Sequence, residues 1–413
     1  MKNFQIIDKV LGYYTKPDLT NTDARFIVSG SQNVLINDQE LVESRNGYTR
    51  LGATNAALTA IRGSFDWATS TGQFWAVRFY DDELEVYVPT LDTVAINAWH
   101  RITNGISTTV AISFASWFDT AEDIDQMLYV IQDATLNKWG GGVAVALSTG
   151  TNTLTKAGTT TWARNRFYTV ANRTIINTRT GVEFAYTGGT GTTTLTGVTP
   201  DPAGADIVAN DVFVQKVVTH ADTPAASLTN NLIAVLNQQV YVADLLNTEI
   251  RVSSTTSVTS YTFSSPRVPG EGATLTPETL ATALIPHEQR MYISGGDNDW
   301  YITEFSLSDD NAREILTIRK LSTGKGMACF SRDMFVSIGD EIIYLNRNQE
   351  LISLRRAEEL ELPKFSTLSD PIKPDFDAET FTDGHLFFNK NRVLISAPAN
   401  NKIYIYQFLQ RAG

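Results

Sequence analysis

A short phrase recurs along this chain: an alternating apolar strand, a turn built on Asn, Asp or Gly, then a second alternating strand carrying Tyr or Trp. The clearest copies lie at 232–242, 289–302, 334–344 and 392–406. Side chains on a strand alternate faces, so each copy reads as a hairpin with one face to bury. A hairpin cannot bury that face alone. Copies returning roughly every 40–55 residues over most of a chain indicate radially packed sheets, which predicts an all-β fold, a β-propeller.

The grammar starts near Ile61, with 65–67, then 74–80, the acidic turn Asp81-Asp82-Glu83 and the strand that follows it, and a further copy at 127–139. Between about 145 and 223 it stops, and Thr and Gly take over. Thr favours strands and Gly favours sharp turns, so this stretch still reads as β. Because the hairpin copies resume at Leu232, it is expected to be a small β-barrel or sandwich of roughly 75 residues inserted into the propeller. The expected organisation is an N-terminal hairpin region joining the propeller (1–60), first blades (61–145), the inserted Thr/Gly-rich domain (146–223) and the remaining blades (224–413). Within the first region, Asn37-Asp38 marks a turn between two apolar runs and predicts a hairpin. Two short helices are expected in connections, at 278–284 and 354–360, and the Pro-rich stretches 266–269 and 363–374 read as extended inter-blade paths. The chain ends just after what reads as a mid-blade strand, so either N-terminal residues dock on the final blade, the favoured expectation, or a C-terminal part is missing from the sequence.

Charge and composition narrow the function classes. A formal net charge of −12 argues against gripping nucleic acid through phosphate neutralisation, which needs a basic face. The single cysteine, Cys329, excludes an internal disulfide framework and reads as a small buried hydrophobe. No stretch of the sequence approaches the ~20 apolar residues of a membrane-spanning helix, and the opening residues carry no secretory signal, so synthesis in the cytoplasm and no membrane insertion are expected.

Catalytic chemistry has little to stand on. His100, His220, His287 and His385 are solitary, without a neighbouring cysteine or an H-x-x-x-H pair. The stretch 322–326, STGKG, lacks the upstream glycine and the Ser or Thr after lysine that a phosphate loop needs, and reads as a turn. Asp297-Asn298-Asp299 before Trp300 has the wrong spacing for a sialidase Asp-box and reads as a hairpin turn. Asp119, Glu122, Asp123 and Asp125 offer carboxylates for calcium, against the simpler expectation of solvated loop acids. No catalytic residue, cofactor or metal is assigned. Trp67, Trp75, Trp139, Trp300, Tyr344 and Tyr404 fall at equivalent places in strands, where a bulky ring locks neighbouring sheets.

Several of these stretches resemble one family, the β-propeller tail proteins of bacteriophages: nozzle or tail tubular B type proteins and packaged-DNA stabilisation proteins of short-tailed phages. The resemblance runs from about Asn33 to Phe408. Its most suggestive pieces are 33–48 (NVLINDQELVESRNGY), with Asn46 where that family commonly has proline, the inserted 186–197 (YTGGTGTTTLTG), 240–244 leading to 250–254 and 261–263, and 291–295 (MYISG). These are patterns of packing and turns, so no functional residue carries over. The resemblance implies a structural virion protein without enzymatic activity, made in the host cytoplasm and located in the phage tail. It implies a ring, usually sixfold, that meets the portal, the adaptor and other tail proteins at the head-to-tail junction, retains packaged DNA and passes it outward in transient, non-specific contact. An acidic lumen would let DNA slide without sticking, with Asp81, Asp82, Glu83, Glu85, Glu358, Glu359 and Glu361 as the candidate surface; solvated turns and helix faces are the plainer reading of the same residues. The alternatives are a glycan-binding or glycan-cleaving propeller at the tail tip and a cytoplasmic scaffold of a cell.

Overall fold

The computed structural model describes residues 61–91, 94–120, 123–131, 136–156, 161–163, 166–169, 171–220, 230–244, 246–257, 261, 267–268, 270–296, 298–307, 314–321, 324–356, 363–389, 392–400 and 402–407, with four short strands before them. Those four pair among themselves. Gly12–Tyr14 runs parallel to Phe26–Val28, and Val34–Ile36 pairs antiparallel with Val42–Ser44, the hairpin expected around Asn37-Asp38.

From Ile61 onward the chain is a succession of antiparallel sheets, five of four strands and a last one of three. Sheet 1 holds Ile61–Ala68, Phe74–Tyr80, Glu83–Leu91 and Val94–Thr103 in chain order. Sheet 2 takes Ile112–Asp119, Ile124–Ile131 and Leu136–Trp139, and completes itself with Val218–His220 from beyond the Thr/Gly-rich segment. Sheets 3, 4 and 5 are again four-strand meanders, 230–275, 281–321 and 335–367, and sheet 6 is Leu386–Asn389, Arg392–Ala397 and Lys402–Gln407. Consecutive four-strand meanders of this length are propeller blades, and the chain is an all-β protein of the β-propeller class with an inserted β domain. Among the described residues no N-terminal strand joins sheet 6.

The insertion is one six-stranded sheet, ordered Glu183–Ala185, Thr174–Asn177, Val212–Gln215, Val143–Gly150, Thr153–Lys156 and Thr194–Thr196. Its two edges meet: Ala185 and Thr199 exchange backbone hydrogen bonds at 2.8 Å each, and Gly188 bridges Thr196, so the sheet curls toward closure as a small barrel. Strand alternation explains how it is held. Val143, Val145, Val212 and Val214 point to one side and join the core of sheets 1 and 2 with Trp67, Trp139 and Tyr129. Ala144 and Phe213 point to the other and join Leu154, Trp162, Phe184 and Leu195 in the insertion's own core. Strands buried on both faces read as continuous apolar runs, as these do.

The chain leaves sheet 2 for the insertion through Gly140, Gly141 and Gly142. Gly141 has φ +74°, and a Cβ there would lie 2.7 Å from the Trp67 ring. Cβ atoms on Gly140 and Gly142 would each meet a neighbour at 2.8 Å. Three glycines let the backbone pass against aromatic rings where no side chain fits.

Contacts divide the chain into two compact units, one of residues 50–284 and 303–318, the other of 1–49, 285–302 and 319–413. In the first, indole N–H groups tie sheets together: Trp67 donates to Ser116 Oγ (3.1 Å) from sheet 1 to sheet 2, and Trp117 to the Gln238 carbonyl (3.1 Å) at the tight turn of sheet 3. In the second, the rings of Phe376 and Tyr404 meet at 4.9 Å, and Trp300 packs on Tyr344. The buried indoles of Trp67, Trp117 and Trp300 thus supply area and spend their one donor.

Two local expectations are corrected. Residues 281–287 are a strand of sheet 4, with burial that alternates in part, and 351–356 are a strand of sheet 5. Helix formers in both stretches yield to ladder pairing and sheet burial. The Pro-rich connection 363–374 also departs from a simple extended path. It supplies Pro363–Thr367 as the fourth strand of sheet 5, with proline at the first position, where no ladder donor is lost, and then turns into the helix Lys373–Asp377.

Candidate functional site

The acidic turn sits between the second and third strands of sheet 1. Asp81 takes a left-handed φ of 55°, which Asp tolerates, and the Asp82 carbonyl accepts from the Ile106 amide at 3.1 Å. Glu83 pairs with Arg101 at 3.3 Å, both about one-third exposed. Glu85 is different. It is only 7% exposed, and its Oε2 accepts from Arg78 Nε at 2.7 Å while the Arg78 guanidinium lies 4.0 Å from the Trp99 ring centroid. Burial raises the Glu85 carboxyl above its usual range, and Arg78 pulls the other way. Glu85 is therefore a compensated interior charge and presents no acidic surface, a correction to its expected place beside Asp81 and Asp82. Glu358, Glu359 and Glu361 lie outside the described residues.

The other sequence candidates are separated by the fold. Asp119 is buried and accepts from Gln126 (2.6 Å) and Lys138 (2.9 Å), whereas Asp125 accepts from the Ser70 amide (2.9 Å) and hydroxyl (2.6 Å). Asp123 is exposed with a left-handed φ of 58°, and Glu122 lies outside the described residues. His100 Nδ1 meets Thr178 Oγ1 at 3.0 Å, His287 Nδ1 meets Ser337 Oγ at 2.8 Å, and His385 stacks on Phe387. Asn298 Oδ1 accepts the Gly326 amide at 2.7 Å, while Asp297 lies outside the described residues. Among the described residues no three His, Cys, Asp or Glu side chains gather as a metal site would require. Cys329 is fully buried, and burial pushes its thiol up to about 12.

Buried carboxylates recur with one role. Asp211 is gripped by Arg179 Nε at 2.7 Å and Asn177 Nδ2 at 2.8 Å, and Glu341 takes both Arg355 Nε and Nη2 at 3.0 Å. Glu379 collects Lys402 Nζ, Asn400 Nδ2 and the Tyr404 hydroxyl. With Glu85–Arg78 and Asp119–Lys138, these pairs neutralise interior acids with cations from neighbouring strands or, for Arg179, from a turn.

One feature escaped the sequence reading. A cavity of ≈ 550 Å³ opens where the outer strand of sheet 1, sheet 2 and the inserted sheet converge. Its walls come from four separated stretches, 101–110, 129–137, 176–183 and 216–219, so no local signal marks it. Arg101, Lys216 and Glu183 line it, and Lys216 Nζ sits 2.7 Å from Glu183 Oε2.

No family model and no curated protein matches the sequence. Among solved structures, the chain is similar to the β-propeller domain of Cps50 (Swd1) from "Myceliophteria thermophila", at 9% identity over 84% of this chain and 89% of that one, with a TM-score of 0.35. It is also similar to U3-55K (9% identity, 83% and 90% covered, TM-score 0.34) and to the computationally designed Ika8 protein (10% identity, 87% and 99% covered, TM-score 0.29). These scores carry no argument about function; the fold stands on the chain's own sheets.

Proposed function

We propose that this chain is a structural, non-enzymatic virion protein of a bacteriophage. Copies of it, six in the expected ring, form a nozzle or tail hub at the head-to-tail junction or in the tail, where they retain packaged DNA and line its exit. The reading grows from the resemblance of the opening hairpin, the Thr/Gly-rich insertion and the blade phrases to that family of tail proteins.

The observation that supports it best is the use of charge. Arg78, Lys138, Arg179, Arg355 and Lys402 are spent neutralising interior carboxylates. Such pairs contribute nothing to the net charge, so the whole excess of −12 falls on the remaining residues. An acidic wall repels phosphate, and screening over about 8 Å at physiological salt confines that repulsion to the wall itself. DNA then passes without being held at each subunit.

Sedimentation velocity of the purified chain, alone and mixed with portal and adaptor proteins, tests the assignment. A discrete ring, or co-sedimentation with those partners, is the expected result. A monomer that ignores them and binds a glycan array at micromolar concentration would replace this reading with a tail-tip glycan binder.

A further inference from the structure

We propose that the cavity between sheet 1, sheet 2 and the inserted sheet binds a neutral saccharide of one or two rings. Its volume of ≈ 550 Å³ lies in the range of small-molecule sites. The lining alternates two chemistries. Ile102, Ile106, Val110, Ile131 and Val217 give aliphatic walls, while Thr103, Asn104, Ser107, Asn137 and Thr219 set hydroxyl and amide groups between them. A pyranose has the same alternation, with apolar C–H faces and an edge of hydroxyls that both donate and accept.

Charge narrows the class. The cations at the cavity already have carboxylate partners, Arg101 with Glu83 at 3.3 Å and Lys216 with Glu183 at 2.7 Å, so a phosphate or carboxylate ligand would find no uncompensated positive group there. Paired guanidinium and carboxylate groups keep lone pairs and N–H donors that suit vicinal hydroxyls.

Tyr129 supplies the second observation. It lines the cavity, is 1% exposed, and packs its ring on Phe114 at 6.3 Å. Burial drives its phenol well above the usual range, so the hydroxyl stays a donor. A phenol at a cavity wall can both donate to and accept from a sugar hydroxyl.

Titration calorimetry of the full chain with glucose, galactose, N-acetylglucosamine and maltose tests this. At least one should bind with a Kd of about 1 mM or tighter. Tyr129→Phe, which keeps the ring and removes the hydroxyl, should weaken that binding about tenfold. Asn104 is exposed at the cavity, so Asn104→Trp should fold normally, melt like the parent and abolish binding by filling the space. Absence of binding by all four sugars overturns the proposal, and so does a sugar whose affinity is the same in both variants. The proposal stands apart from ring assembly, which none of these outcomes touches.

Discussion

Trp300 and Tyr344 meet edge to face with ring centroids 4.8 Å apart, and both donate to one acceptor, the Met327 carbonyl, at 2.9 Å. The shared oxygen makes the two side chains energetically dependent. Tyr344→Phe alone leaves the carbonyl with its other donor and should cost about 1 kcal/mol, and Trp300→Phe, which also leaves a cavity at a fully buried ring, about 2–3 kcal/mol. The double variant orphans it, so its loss should exceed the sum of the singles by about 1 kcal/mol. Urea unfolding of the four proteins measures the coupling.

The insertion depends on a backbone passage that tolerates no side chain. Gly141→Ala adds a Cβ 2.7 Å from Trp67 at a left-handed φ, and the ring it would displace packs on Trp139 at 5.8 Å. The expected destabilisation is about 2–4 kcal/mol, from backbone strain and overpacking together. Gly72 also has a positive φ but has nothing within 4 Å of a built Cβ, so Gly72→Ala should cost about 1 kcal/mol. Thermal melting of the two variants separates the contributions.

Stability should fall in acid through Glu379. Burial raises this carboxyl, but Lys402, Asn400 and Tyr404 outweigh it and hold the group below its usual value of 4.5. A carboxylate whose folded value is depressed adds stability above its unfolded value and loses it as pH falls through the folded one. Glu379→Gln should therefore destabilise by about 1–2 kcal/mol at pH 7, with the gap closing below pH 4.5. Denaturant titrations at pH 7 and pH 3 check the sign.

If the acidic turn lines the DNA path, charge reversal there should matter, and only at the half-buried positions that reach the surface. Asp81→Lys with Asp82→Lys should slow DNA release from assembled particles severalfold at low salt and less at high salt. Glu85→Gln should leave release unchanged, because that carboxylate is buried against Arg78. Time-resolved ejection assays on particles carrying each variant make the comparison.

What the sequence disclosed divides along the range of the interactions. The hairpins at 232–242, 289–302, 334–344 and 392–406 were legible because period-two alternation and turn residues are local, and all four form. Where helices were expected at 278–284 and 354–360, the described residues 281–284 and 354–356 are strand, because propensity is weak beside a ladder offered by a neighbouring strand. Glu85 belonged to an acidic run in the sequence, and its partner Arg78 enters only through the hairpin register Arg78↔Glu85. The cavity was invisible for the same reason, since its walls meet only after the insertion has returned to sheet 2 at Val218. The glycine triplet at 140–142 was the one overlooked local signal, a place where close approach excludes every side chain.

On the proposed function, copies of this chain close into a ring through which DNA leaves. Single-particle imaging of the purified 413-residue protein tests it most directly. Closed rings, sixfold in the main population and with an axial opening wide enough for the duplex, are the expected result. A uniform population of monomers, unchanged by concentration or by portal and adaptor proteins, would contradict it.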